Sequence, residues 1–195
     1  MISRALRNAW PLARFHALRT KGVVDRPVWH GYWTDLQQRC GGHKKFPAKE
    51  EFLESATEVY RFLQEEVMAA KNLRNVEDLC HEELWSTVHS VVDLHEPVRR
   101  QFGDDSRIIW TSTDAFVCGI GVFDEGEIEG MGRSVLIAMR FFSVIDLKYA
   151  PGEVHYAIDE LDLVSEWDAE VGIKEWKIAR LDGFLQHLSH PIKVE

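Results

Sequence analysis

The chain has 195 residues, 45% of them apolar and 28% charged, with a formal net charge of −9. That length and composition suit one globular domain with an N-terminal appendage and leave no room for a second full domain; no apolar run approaches the roughly 20 residues a membrane-spanning helix needs. Residues 1–22 contain Arg4, Arg7, Arg14, Arg19 and Lys21 and no acid, which leaves −14 on the remainder, a charge that repels phosphate backbones and argues against direct DNA binding.

Within the basic segment, Leu6, Trp10, Ala13 and Ala17 fall on one side of a helical projection and Arg4, Arg7 and Arg14 on the other. An Arg-rich, acid-free segment with no continuous apolar stretch reads as a mitochondrial transit peptide over residues 1–22, the alternative being a disordered basic tail. The stretch 23–45, with Trp29, Tyr32 and Trp33 ahead of Gly41-Gly42, is expected to be an arm or linker, either a short helix or extended chain. Cys40, Cys80 and Cys118 are odd in number and form no CxxC pair, as expected for buried thiols in a reducing compartment.

Phe46-Pro47 opens a helix whose first turns hold Glu50, Glu51 and Glu54, favourable at the positive N-terminal end. Phe52, Leu53, Ala56, Val59, Tyr60, Leu63, Val67 and Ala70 recur at helical spacing, which predicts an apolar stripe of about six turns lying across a sheet. Asn72 ends this helix or begins the connection after it. A second helix is predicted from Asn75 as N-cap, through Val76, Leu79, Cys80, Leu84, Val88 and Val91, with Pro97 bounding it. The run Cys80-His81-Glu82-Glu83, with His89 and His95, invites a metal reading. The histidine spacings of eight and six, however, do not place two imidazoles on one face as an i, i+4 pair does.

The stretch 107–150 is a β-meander. Phe116, Cys118, Ile120 and Val122 alternate as on a strand with one buried face, Asp124-Glu125-Gly126 forms a turn, and the apolar run Val135 to Ile145 predicts a central strand covered on both sides. Gly119, Gly121, Gly130 and Gly132 suggest turns, bulges or close backbone approach. Val154, Tyr156 and Ile158 alternate with Glu153, His155 and Ala157 as an amphipathic strand continuing to Leu163; a loop near Glu166 to Gly172 precedes a last strand, Ile173 to Leu181. Lys174, Lys177 and Arg180 are placed to pair with acids such as Asp159, Glu160 and Asp162. Helices first and mostly antiparallel strands second predict an α+β domain over 46–188, with helices on a curved sheet in a cystatin-like or nuclear-transport-factor-like cone and a tail at 189–195.

No dinucleotide or phosphate-loop glycine motif, nucleophile elbow, HExxH or CxxC is present. The titratable residues in or beside predicted strands are Asp114, Asp146, His155 and Asp159. An enzyme or small-molecule binder using the cone would take its base from among them, Asp146 or His155 first. Three of the four sit near turns or on predicted polar faces, so no residue is assigned a catalytic, cofactor-binding or metal-ligating role.

Several of these pieces resemble one family. The helix Phe52 to Ala70, the helix from Asn75, the strand Ile109-Trp110-Thr111-Ser112-Thr113-Asp114, the Asp124-Glu125-Gly126 turn, the strand ending Met139-Arg140-Phe141-Phe142, and the closing Trp176-Lys177-Ile178-Ala179-Arg180-Leu181 resemble the mitochondrial m-AAA protease-interacting proteins. That family belongs to a broader group sharing the C-terminal domain of the matrix subunit that anchors the import motor to the inner-membrane translocase. The resemblance covers about residues 46–185, and its most specific pieces are the Thr-Ser-Thr stretch and the Trp-x-Ile-Ala-Arg ending. It implies a non-enzymatic matrix adaptor near the inner membrane, without cofactors. Implied partners are m-AAA protease subunits, the precursor of the calcium uniporter's regulatory subunit and, in a variant reading, the mitochondrial ribosome as a large-subunit component or binding partner. Upstream, the mixed stretch Val23 to Gly42 stands where the family carries an apolar segment.

Overall fold

The computed structural model describes residues 30–42, 44–70, 73–127, 131–152, 154–168 and 170–182, so the expected transit peptide, the C-terminal tail, Asn72 and Gly130 lie outside the described residues. Helices α1 (His30–Arg39), α2 (Lys49–Ala69), α3 (Arg74–Leu79), α4 (Trp85–Leu94) and α5 (Glu96–Phe102) precede strands β1 (Ile108–Phe123), β2 (Ser134–Leu147), β3 (Val154–Asp168), β4 (Gly172–Ile173) and β5 (Lys177–Asp182). The sheet is antiparallel and strongly curled, ordered β1-β2-β3-β4, with β5 also on β3. This is the α+β architecture expected of a helix-covered cone.

The face covered by the helices is set by the phase of β2 and β3. Met139 lies opposite Leu161, Phe141 opposite Asp159 and Ile137 opposite Leu163, and these side chains are buried. Phe142 and Val144 on the other face are buried too, so β2 is covered on both sides as its apolar run predicted. β3 departs from expectation. Tyr156 and Ile158, the predicted inward residues, are 41% and 47% exposed, while Ala157, Asp159 and Leu161 point to the helices. The pairing with β2 runs unbroken from Val154 to Glu166, so the phase is dictated by Leu161 and Leu163 and carries back to the strand's start. β1 likewise buries Val117 rather than Phe116, Cys118 or Val122, and its two predicted segments form one strand, bent by irregularities at Trp110/Ser112 and Val117/Gly119.

The long predicted helix from Asn75 is broken. Asn75 lies inside α3 rather than capping it, and Cys80 adopts extended backbone (φ −105°, ψ 149°). Cys80 forms a parallel bridge with Ile178 of β5, and the His81 N–H donates to the Ile178 carbonyl at 2.8 Å. Backbone pairing with β5 thus replaces helical bonds at this point, and a 3₁₀ turn (Glu82–Leu84) restarts the chain into α4. Pro97 does not close that helix but occupies the first turn of α5, where its missing N–H costs nothing. No helix among the described residues is long and apolar enough to cross a membrane.

α2 crosses the sheet diagonally. Near its start the Phe52 ring lies 5.2 Å from that of Trp176, just ahead of β5. Towards its end the Trp110 indole of β1 donates to Glu65 at 2.7 Å, with the Arg61 guanidinium 5.8 Å from the Trp110 ring. The predicted stripe is real: Phe52, Ala56, Tyr60, Leu63 and Val67 are buried, and Gln64 is buried with them. The described part of the aromatic arm is helix α1. Its Trp33 is 2% exposed, packs 5.3 Å from Phe46 and 5.1 Å from Phe52, and donates its indole N–H to the Pro47 carbonyl at 3.1 Å.

The predicted last strand is split, because Gly172 and Ile173 turn towards the loop at Lys45. The Ile173 N–H donates to the Lys45 carbonyl at 3.2 Å. Gly172 has φ +97°, and a β-carbon there would lie 2.7 Å from Lys45 Cβ and 2.9 Å from its carbonyl oxygen. Both the left-handed backbone and the contact with main chain resist any side chain. Gly172→Ala is therefore expected to lower stability by about 1–3 kcal/mol, read as a reduced urea midpoint with unchanged slope. An unaltered midpoint would show that this junction is not rigid.

Candidate functional site

The interior beneath α2 holds a polar centre. The Tyr60 hydroxyl donates to Asp159 Oδ2 at 2.5 Å and the Gln64 amide donates to the same oxygen at 2.8 Å. The Ser143 hydroxyl donates to Tyr60 Oη at 3.3 Å. Phe141 stacks flat on Tyr60, with ring centroids 4.2 Å apart and planes 7° apart. Tyr60, Gln64, Ser143 and Asp159 are all 0% exposed. Helical spacing puts Tyr60 and Gln64 on one face of α2, one turn apart, and the strand phase brings Asp159 up beneath them.

Burial disfavours the charged carboxylate and pushes the Asp159 pKa up to about 6, although the hydrogen bonds from Tyr60 and Gln64 pull the other way. Tyr60 is raised well above the usual phenol range by its own burial first and then by the Asp159 charge, so it remains a donor. Asp159 Oδ1 and Gln64 Oε1 have no hydrogen-bond partner among the described residues. A general base must come within about 2.6–3.2 Å of the proton it takes. At Asp159 Oδ2 those positions are taken by Tyr60 and Gln64, and the residue is 0% exposed.

The other residues expected as candidates do not join it. Asp114 and Asp146 lie on the opposite face of the sheet, across from Phe142 and Ile109; Asp146 accepts from the Thr111 hydroxyl at 3.4 Å. His155 is half-buried across from Ile145, four residues along β3 from Asp159. Asp159 itself is not the solvated carboxylate expected of a polar face, and it pairs with no lysine or arginine. Arg180 does pair across the sheet as expected, at 2.8 Å from Asp162 and 3.5 Å from Glu160, whereas Lys174 reaches Glu166 at 2.5 Å and Lys177 reaches Glu175 at 3.5 Å. These exposed pairs contribute only about 0–1 kcal/mol each.

Cys80 is held in the bridge to β5, His89 is exposed on α4, and His95 is buried between α4 and α5. Among the described residues no three His, Cys, Asp or Glu side chains converge in a way that could hold a metal ion. Burial pushes the thiols of Cys40 and Cys80 up to about 11, with Arg39 and Lys177 respectively opposing the shift, so neither is a ready thiolate.

One turn from the polar centre the surface opens into an apolar groove of about 190 Å³. One wall is Pro47 and the flank of α2 at Glu51, Phe52, Ser55, Ala56 and Val59; the other is Leu79, Leu163, Trp176 and Ile178. The groove exists because the chain breaks helix at Cys80 and strand before Lys177, leaving Leu79 and Trp176 as facing edges. Sequence reasoning missed both the polar centre and the groove. Gln64 at a core spacing and Asp159 in phase with Leu161 and Leu163 were the available signals for the centre. Nothing local marks the groove, whose walls come from four separated segments.

Among known proteins, no family model matches the chain and no characterised protein matches it significantly.

Proposed function

We propose that the protein is a non-enzymatic adaptor of the mitochondrial matrix, working beside the inner membrane. In this reading it associates with the m-AAA protease, assists sorting or maturation of the calcium uniporter's regulatory-subunit precursor, and so supports mitochondrial calcium uptake. The observation that carries the reading is the contrast between the two features beneath and beside α2. The Asp159 carboxylate is buried beneath Tyr60 and Gln64, while an apolar groove, a form in which proteins receive other chains, is offered to solvent. The basic leader and the resemblance over residues 46–185 supply the compartment and the partners.

Affinity capture of the tagged chain from intact mitochondria tests the reading, with m-AAA protease subunits or the uniporter precursor as the expected recovery. Stoichiometric co-sedimentation with ribosomes and no protease would replace it with a ribosomal role, and recovery of none of these partners would overturn it.

A further inference from the structure

We propose that the groove receives a short basic amphipathic helix of a partner chain, with its apolar residues on the groove floor and its Lys or Arg residues over the carboxylates of α2. This rests on the adaptor reading and gives the chemistry of its partner. The length follows from the walls. From Pro47 to Val59 the α2 side spans roughly 18 Å, the length of a helix of about 12 residues. Val59, Leu79 and Trp176 are partly exposed around a floor of buried Phe52, Ala56, Leu163 and Ile178, so the groove rewards an apolar stripe.

The backbone explains why the ligand should be a helix rather than an added strand. β5 pairs with β3 on one side, and its Ile178 carbonyl on the other side is already taken by the His81 N–H. With the Ile178 carbonyl taken and the facing wall formed by helix α2, the groove favours an occupant that brings its backbone bonds already made, as a helix does.

Charge selects the sign. Glu51 stands exposed in the groove wall itself, and Glu58 stands exposed two turns further along the same flank of α2. Neither has an ion-pair partner among the described residues. The nearby cation on the other side, Lys177, is engaged by the Asp78 carbonyl and Glu175. An acidic or neutral ligand would leave these carboxylates uncompensated, and the −14 outside residues 1–22 adds the same bias at longer range.

The test titrates the full chain with a labelled synthetic helical peptide of about 12 residues carrying Leu and Trp at i, i+3, i+4 spacing and four Lys or Arg on its flanks. An acidic twin keeps the apolar stripe. The basic peptide is expected to bind and the acidic twin not to. Ser55→Trp, which fills the groove from an exposed position, should weaken binding about tenfold or more. Glu51→Lys with Glu58→Lys should do the same at low salt and less as salt is raised. Equal binding of the acidic twin, or wild-type affinity in both variants, would overturn the proposal. So would tighter peptide binding by the Arg7→Glu, Arg14→Glu variant, since it would show the chain's own basic segment holding the groove. In mitochondrial capture, m-AAA subunits recovered equally by Ser55→Trp would sink the groove assignment and leave the adaptor reading. Peptide binding with no recovered partner would do the reverse.

Discussion

Trp33→Ala is expected to lower the unfolding free energy by about 3–5 kcal/mol, the range for truncating a fully buried aromatic residue. The indole touches Phe46 and Phe52 and is one of two donors to the Pro47 carbonyl, so its loss opens a cavity and removes a hydrogen bond at the root of the groove. For a domain whose total stability is of the order of 5–15 kcal/mol, that is a large share. α1 is tied to the domain chiefly through Trp33, Leu36 and Gln37, whose amide also donates to Pro47. Amide exchange in residues 30–39 should therefore accelerate more than exchange in β2. Gln38→Ala, on the exposed side of the same helix, should stay within about 0.5 kcal/mol of wild type. If Trp33→Ala behaves like Gln38→Ala, α1 is not part of the folded unit.

The second large effect is a stability profile that runs opposite to ordinary acid denaturation. The Asp159 pKa is raised in the folded state, to about 6 from an ordinary 3.8, so the folded protein holds this proton more tightly than the unfolded chain. The stability it contributes is fully present below about pH 4 and is lost as pH rises through about 6, a change on the order of 3 kcal/mol. Glu96, Glu166 and Asp168 are shifted downward by hydrogen bonds, and these exposed groups lose their contribution only as pH falls below the ordinary carboxylate range. The Asp159 contribution is read as the difference between wild type and Asp159→Asn across about pH 4 to 6. Asp159→Asn mimics the protonated acid, still accepting from Tyr60 and Gln64, and should flatten that interval. At neutral pH it should be more stable than wild type by about 1–3 kcal/mol. Urea unfolding at several pH values measures both. A wild-type profile that rises between about pH 4 and 6 relative to that of Asp159→Asn, or an Asn variant less stable than wild type at about pH 7, would show that the centre favours the ionised carboxylate.

Periodicity carried most of the fold. α2 was legible because its apolar residues recur at helical spacing for six turns, and β2 because its run is too apolar to face water. What was not legible depended on partners far away in sequence. Cys80 sits in a pattern that continues as helix by every local measure, and only β5, about a hundred residues later, supplies the backbone that pulls it into extended form. Tyr156 and Ile158 looked inward by hydrophobicity, but a strand has one phase, and Leu161 and Leu163 outvote them. Asp159 was visible as a titratable residue in a strand, yet its burial follows from that phase and from Tyr60 and Gln64 arriving overhead.

The groove joins residues 47–59 to residues 163–178 and closes only when Trp176 and Ile178 have been laid against α2 and the Cys80 connector. A chain emerging in order from its N-terminus holds one wall early and the other only at the end. The groove is thus a report on completion: it exists only on molecules whose sheet has already closed.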